Sequence, residues 1–222
     1  MEKNLKYIEK VDSIENESEY VKKCFTAMRM IAANPNKVRN TEDDDSTTLE
    51  RNYILSMVYN MGKSDFLRED TFFKFDSTSF FIGGETIKLI SINDKKMERT
   101  GMALNFSFNG NKIEAIPDLV IHNSHNPKSG DSDEGQFLVL EAKTTRRLGE
   151  HYFMRDFFKL NLYLSRLHFQ NAVSLVIDKP AKIIDDYIGT YKKEDYYWCD
   201  DVKSKLRLFI QEKDTPEMYK LK

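Results

Sequence analysis

The sequence predicts an α/β fold: a mixed central β-sheet flanked by helices, with extra helices at the N-terminal side. Three observations carry this expectation. Val21, Cys24, Phe25, Met28, Ile31 and Ala32 recur at helical spacing early in the chain. Two apolar runs of strand length, Ile116 to Ile121 and Phe137 to Lys143, follow a hairpin signal at Asn109-Gly110. A strand–helix–strand order then spans Phe137 to Ile177.

Each element has its own signal. The first helix runs from about Ser18 to Ala33 and stops at Asn34-Pro35, because proline cannot continue a helix. A polar, acidic connector, Asn34 to Asp45, leads to a second helix from about Thr47 to Met61, ended by Gly62. Asp65 to Phe81 is rich in phenylalanine and fits helix and strand equally. Gly83-Gly84 marks a turn, and Thr86 to Ile92 alternates as a strand. Asn105 to Phe108 then faces Lys112 to Ile121, read as one continuous strand. His122 to Gly135 reads as a polar, mobile loop before the central strand Phe137 to Lys143. A helix from about Glu150 to Phe169, a buried strand Val173 to Ile177 and a helix Lys182 to Tyr191 follow. Leu206 to Ile210 fits a late strand or a short helix. The chain of 222 residues is long enough for one domain with a full core. It divides into an N-terminal helical extension over about 1–45, a core over about 46–180 and a C-terminal extension over about 181–222.

Two strings hold the chemistry. Ile116-Pro117-Asp118 opens one apolar run, and Glu141-Ala142-Lys143 closes the other. Side chains alternate along a strand, so Glu141 and Lys143 share one face and Ala142 takes the other. If the two runs pair, Asp118 stands beside Glu141 at the rim of the sheet. Close carboxylates repel and desolvated charges need partners, so the pattern points to a divalent cation. The plainer alternative is a hairpin with Asp118 in its turn and an exposed Glu141–Lys143 pair, which is worth little.

Pro117-Asp118 followed by Glu141-Ala142-Lys143 resembles the signature of the PD-(D/E)xK nuclease superfamily, over about Thr47 to Ile177. The resemblance implies a restriction-endonuclease-like core and a Mg²⁺-dependent endonuclease that hydrolyses phosphodiester bonds with metal-activated water. Mn²⁺ can substitute for Mg²⁺ in that chemistry. Asp118 and Glu141 would hold the metal, with the Ala142 carbonyl completing the shell. Lys143 would position and help to deprotonate the water. The implied partner is nucleic acid, DNA ahead of RNA. An RNA endonuclease of the same fold is one alternative, and a non-catalytic binding or assembly module is the other. No base-reading motif is present, so specificity would come from loops, a homodimer or a partner protein.

Accessory residues follow from position. Glu50 shares a helical stripe with Ile54, Met57, Val58 and Met61, so it points toward the core. Two roles stay open for it: metal ligand, by the resemblance, or partner of Thr47 in a capping box. Asp156, Lys159, Tyr163 and Arg166 form a polar stripe on the helix after the motif. The resemblance implies that Lys159 and Tyr163 contact phosphate or water there, against the alternative of a solvated face. Arg146 and Arg147 lie just past the central strand, where bidentate phosphate contacts are possible. His122, four residues past Asp118, reads as a surface or hairpin-end residue ahead of a metal contact, and Trp198 as a packing or partner-contact residue ahead of a base-stacking one.

Composition bounds the rest. A formal net charge of −2 excludes a polybasic nucleic-acid binder, although Lys and Arg slightly outnumber Asp and Glu after Lys143. Cys24 and Cys199 are the only cysteines, with no paired spacing, which argues against a zinc cluster or a disulfide framework. The charged N-terminal stretch is unlike a secretory signal, and no apolar run reaches spanning length. The expectation is a cytoplasmic protein (nuclear in a eukaryotic or viral setting), not secreted and with no membrane partner.

Overall fold

The structure, a computed structural model, describes residues 5–33, 46–63, 79–82, 88–122, 135–143, 148–212 and 215–222. The connector 34–45, most of the stretch 65–81, the turn 83–84 and the loop 123–134 lie outside these residues.

In chain order the first elements are β1 (Ile8–Lys10), α1 (Glu19–Ala32), α2 (Ser46–Lys63), β2 (Ser79–Ile82) and β3 (Lys88–Ser91). Next come α3 (Lys95–Ala103), β4 (Phe108–Asn109), β5 (Lys112–Ala115), β6 (Leu119–His122) and β7 (Gln136–Lys143). The chain continues with α4 (Glu150–Arg166), β8 (Ala172–Ile177), α5 (Ala181–Lys193), α6 (Val202–Lys205), β9 (Leu206–Glu212) and β10 (Thr215–Leu221). The described strands build a seven-stranded sheet in the order β1-β10-β9-β8-β7-β6-β2 and a three-stranded sheet in the order β3-β5-β4. Strands β7, β8 and β9 run parallel, while β2, β6, β10 and β1 add antiparallel pairings. The fold is therefore mixed α/β with a mixed central sheet flanked by helices.

The central strands are apolar on both sides because both sides are covered. Leu138, Leu140 and Ala142 of β7 pack with Val173 and Leu175 of β8 against Cys24, Met28, Ile54 and Met57 from α1 and α2. Val139 and Val176 face the other way and meet Phe153, Phe157, Leu160 and Leu164 of α4. The alternation expected for β7 is thus realised, with one helical layer per face.

Three expectations need correction. Lys112 to Ile121 is not one strand: β5 pairs with β3 and β4 in the small sheet, and β6 pairs with β7 in the large one. Pro117 sits in the break, where it has no amide to donate to a ladder. Sequence periodicity missed α3, which starts at Asp94, whose Oδ1 accepts the amides of Lys96 and Met97 at 2.8 and 3.0 Å. It also missed β1 and β10, which pair with each other and, through β9, extend the large sheet. Of the two readings left open for Leu206 to Ile210, the strand is the one observed.

The N-terminal strand is fastened by one buried carboxylate. Asp185 of α5 accepts the amides of Lys6, Tyr7 and Ile8 at 2.9, 2.6 and 3.0 Å. One turn on, Gly189 leaves room for the Tyr7 ring, since a Cβ there would stand 2.5 Å from it. Charge-assisted bonds of this kind are stronger than neutral ones, and losing the acceptor orphans the amides. Asp185→Ala is expected to lower unfolding free energy by roughly 2–4 kcal/mol, with Asp185→Asn losing less. Urea denaturation checks both; a wild-type midpoint for the alanine variant would remove the fastening role.

Candidate active site

The break at Pro117 positions the site. The register Leu119↔Leu140 sets Asp118 across from Glu141, at the start of β6 and near the end of β7. Asp118 stands just outside the ladder, and its Oδ2 accepts the Ala142 N–H at 2.7 Å. Ala142 points into the opposite core, as strand alternation requires. Glu141 turns toward α4 and is only 2% exposed.

Two lysines complete the cluster. Lys159 Nζ lies 2.5 Å from Glu141 Oε2 and 2.9 Å from Asp156 Oδ1. Lys143 Nζ donates to the Ala142 carbonyl at 2.8 Å and lies 3.2 Å from Asp156 Oδ2. It also reaches both oxygens of Glu50, at 3.3 and 3.4 Å. Glu50 belongs to α2 and Asp156 to α4, which cover opposite faces of the sheet. Lys143, the last residue of β7, therefore reaches around the rim and ties the two layers together.

The structure thus brings Asp118, Glu141, Lys143, Glu50 and Lys159 to one place. Of the two roles left open for Glu50, its carboxylate meets Lys143 in the cluster. The polar stripe of α4 is not a solvated face: Asp156 and Tyr163 are buried and Lys159 nearly so. Tyr163 is fully enclosed, so its phenol faces Glu141 from inside the domain and not an incoming phosphate. Arg146 and Arg147 lie outside the described residues. His122, expected near the surface, is buried in β6 opposite Ser79. Asp156 was not expected as a site member. Its three-residue spacing from Lys159 was the available signal, since such pairs meet on a helix surface.

Burial dominates the electrostatics. It pushes the Glu50 carboxyl up to about 7, with Lys143 opposing and Asp118 reinforcing the shift. Burial likewise raises Asp118 against the pull of Lys143 and the Ala142 amide, and holds Glu141 well above the carboxylate range against Lys159. For Lys143 and Lys159 burial works against the charge, but the surrounding carboxylates prevail and both ammoniums are held above their ordinary range. Fully ionised, the four carboxylates would outnumber the two ammoniums by two charges. That surplus matches one divalent cation.

Among the described residues no group of three or more His, Cys, Asp or Glu side chains is arranged to hold a metal ion. The acids are interleaved with ammoniums instead. The donor set still fits a hard cation on two grounds. It consists of oxygen alone, and Glu141 Oε1 is buried without a well-formed hydrogen bond, with the Tyr163 phenol facing Glu141. Such an acceptor is costly unless something binds it. Among the described residues, no helix is long and apolar enough to cross a membrane.

A carboxyl group whose pKa is raised on folding stabilises the fold below its unfolded pKa and loses that contribution as pH climbs through the folded value. For Glu50 this window runs from 4.5 to about 7. Wild-type protein is therefore expected to lose stability relative to Glu50→Gln across that window. Thermal melts of both proteins without divalent cations, between about pH 5 and pH 8, check it; parallel curves would show that Glu50 does not titrate there.

Comparison with protein-family models, with curated proteins and with solved structures returned no match for this chain.

Proposed function

We propose that the chain is a Mg²⁺-dependent endonuclease with a restriction-endonuclease-like core, hydrolysing phosphodiester bonds in nucleic acid, DNA ahead of RNA. One observation carries the reading: Asp118 and Glu141 face each other at the end of β7, Glu141 Oε1 lacks a well-formed hydrogen bond, and Lys143 follows two residues on. The surrounding order supports it. Antiparallel pairing of β2 with β6 and of β6 with β7, then α4, then the parallel β8, is a mixed-sheet arrangement suited to a motif carried on two strand ends.

Asp118 and Glu141 would hold the cation, with the Ala142 carbonyl and Glu50 as further oxygen donors. When bound, Mg²⁺ supplies Lewis acidity to water and to phosphate oxygens. Lys143 stays charged between Asp156, Asp118 and Glu50, so it donates hydrogen bonds and stabilises negative charge; it does not abstract a proton. That assignment narrows the role implied by the resemblance. The Glu50 carboxyl, raised to about 7 by burial, would ionise on binding a dication, which favours the charged form. Lys159 pairs with Glu141, and with both lysines retained a dication would offset the two-charge surplus of the four carboxylates.

A second reading has its own observation in the ion pairs. Lysines already partner Glu141, Asp156 and Glu50, as they would in a nuclease fold retained for binding or assembly. Two measurements separate the readings. Mn²⁺ at about a hundred times its dissociation constant should stabilise wild type by about 2.7 kcal/mol, and Asp118→Ala should lose that shift. Cleavage of plasmid, single-stranded DNA and RNA in Mg²⁺ should fall by roughly a hundredfold or more in Asp118→Ala, Glu141→Ala and Lys143→Ala. Wild type that neither shifts with Mn²⁺ nor cleaves any of the three substrates would leave the assembly reading standing.

A further inference from the structure

The acid cluster does not stand alone at the rim. Lys143, Asp156 and Lys159 also line an open cleft of about 420 Å³. Its walls are Phe106, Ile116, Tyr152 and Arg155, with Glu114 and Ala115 at one side. Tyr152, Arg155, Asp156 and Lys159 lie three, one and three residues apart on α4, so they share one helix face. Two large apolar side chains in these walls are left open to solvent, Tyr152 at 61% and Ile116 at 40%.

The chemistry of the walls is specific. The Arg155 guanidinium stacks over the Phe106 ring at 4.7 Å from its centroid. Stacking fixes the guanidinium plane and leaves its edge N–H donors for an anion. Among the described residues no carboxylate lies within ion-pair distance of Arg155. Tyr152 stands one helical turn before Asp156, about 6 Å along the helix axis from the acid cluster. Its exposed ring offers a planar apolar face, steadied by an edge contact with His151 at 6.1 Å. A planar aromatic face, a fixed anion donor and a reaction centre thus follow one another along a single helix.

We propose that this cleft takes one unpaired nucleotide next to the scissile phosphate, its base stacked on Tyr152 and its phosphate held by Arg155. The proposal rests on the endonuclease reading and adds a substrate class to it: single-stranded nucleic acid. The cleft has the volume of a small-ligand site, enough for one nucleotide, and only a base that is unpaired and out of a helical stack can lie on Tyr152. Stacking on an aromatic ring tolerates any base, in keeping with a chain that carries no base-reading motif. DNA and RNA strands share this chemistry, and the experiment compares them.

Fluorescence anisotropy of labelled single-stranded DNA, the matching RNA and the DNA duplex, all in EDTA, measures binding apart from cleavage. The full chain is compared with Tyr152→Ala, Tyr152→Phe and Arg155→Ala. Tyr152→Ala should weaken single-strand binding by roughly 5- to 150-fold with little change for duplex. Tyr152→Phe should retain most of the affinity. Arg155→Ala should reduce the salt slope of single-strand binding by about 0.7. Equal losses for RNA and DNA would also fit the subsite, and a loss confined to one would identify the sugar it takes. Wild-type affinity in Tyr152→Ala, or no strand bound by wild type, would overturn the proposal. The same outcome in a wild type that cleaves would sink the subsite alone. A Tyr152-dependent preference for single strands, in a protein that neither cleaves nor responds to Mn²⁺, would sink the endonuclease reading and leave the subsite.

Discussion

Four carboxylates crowd the end of one strand, and two ammoniums make that crowding tolerable. Lys143 and Lys159 contact Glu50, Glu141 and Asp156 between them, at 2.5 to 3.3 Å for the closest approach to each. Desolvation raises Glu50, Asp118 and Glu141 together, so the cluster is under electrostatic stress even with the lysines in place. On the proposed reading, a bound dication would relieve that stress.

The fold meets this demand through the two-sided burial of β7. A strand covered by helices on both faces must be apolar along its length, and only its end can carry charge without entering a core. Glu141 and Lys143 occupy that end, and they are supported from two layers: α4 supplies Asp156 and Lys159, and α2 supplies Glu50. Pro117 contributes by ending β5 and letting the chain switch sheets. That switch leaves Asp118 outside both ladders, where its carboxylate can accept a backbone amide and face Glu141.

Much of this was legible in the residues. Alternation along Phe137 to Lys143 assigned Glu141 and Lys143 to one face, and the apolar stripe of α2 aimed Glu50 inward. The α4 stripe was visible as a polar row, but periodicity states only that residues share a side, not what covers that side. A second layer of packing encloses Tyr163, and a row of spacings cannot reveal it. Strand β1 was missed because its partner lies at the other end of the chain, which no local pattern encodes, and β10, although next to β9 in sequence, has no clean apolar alternation over Thr215 to Leu221. The sheet switch at Pro117 was missed for the opposite reason. Apolar residues on both sides of the proline continue the same alternation, and only the choice of partner strand changes. His122 does end the β6–β7 hairpin, one of the two readings given for it, but the polar residues that follow it up to Gly135 gave no sign that it is buried.

Helix α4 joins these strands of argument. Its Phe153, Phe157, Leu160 and Leu164 pack on the sheet, while Asp156 and Lys159 enter the acid cluster and Tyr152 and Arg155 line the cleft. One rigid element therefore sets the distances between core, charge cluster and cleft at once. A helix pinned by that many buried aromatic and aliphatic side chains cannot shift one group without moving the others. On the proposed endonuclease reading, that fixed placement of charged groups is what a reaction at phosphorus would require, because positioning and electrostatic stabilisation supply most of the rate. The packing that makes α4 an ordinary core helix is thus the same packing that holds Asp156 and Lys159 against Lys143 and Glu141.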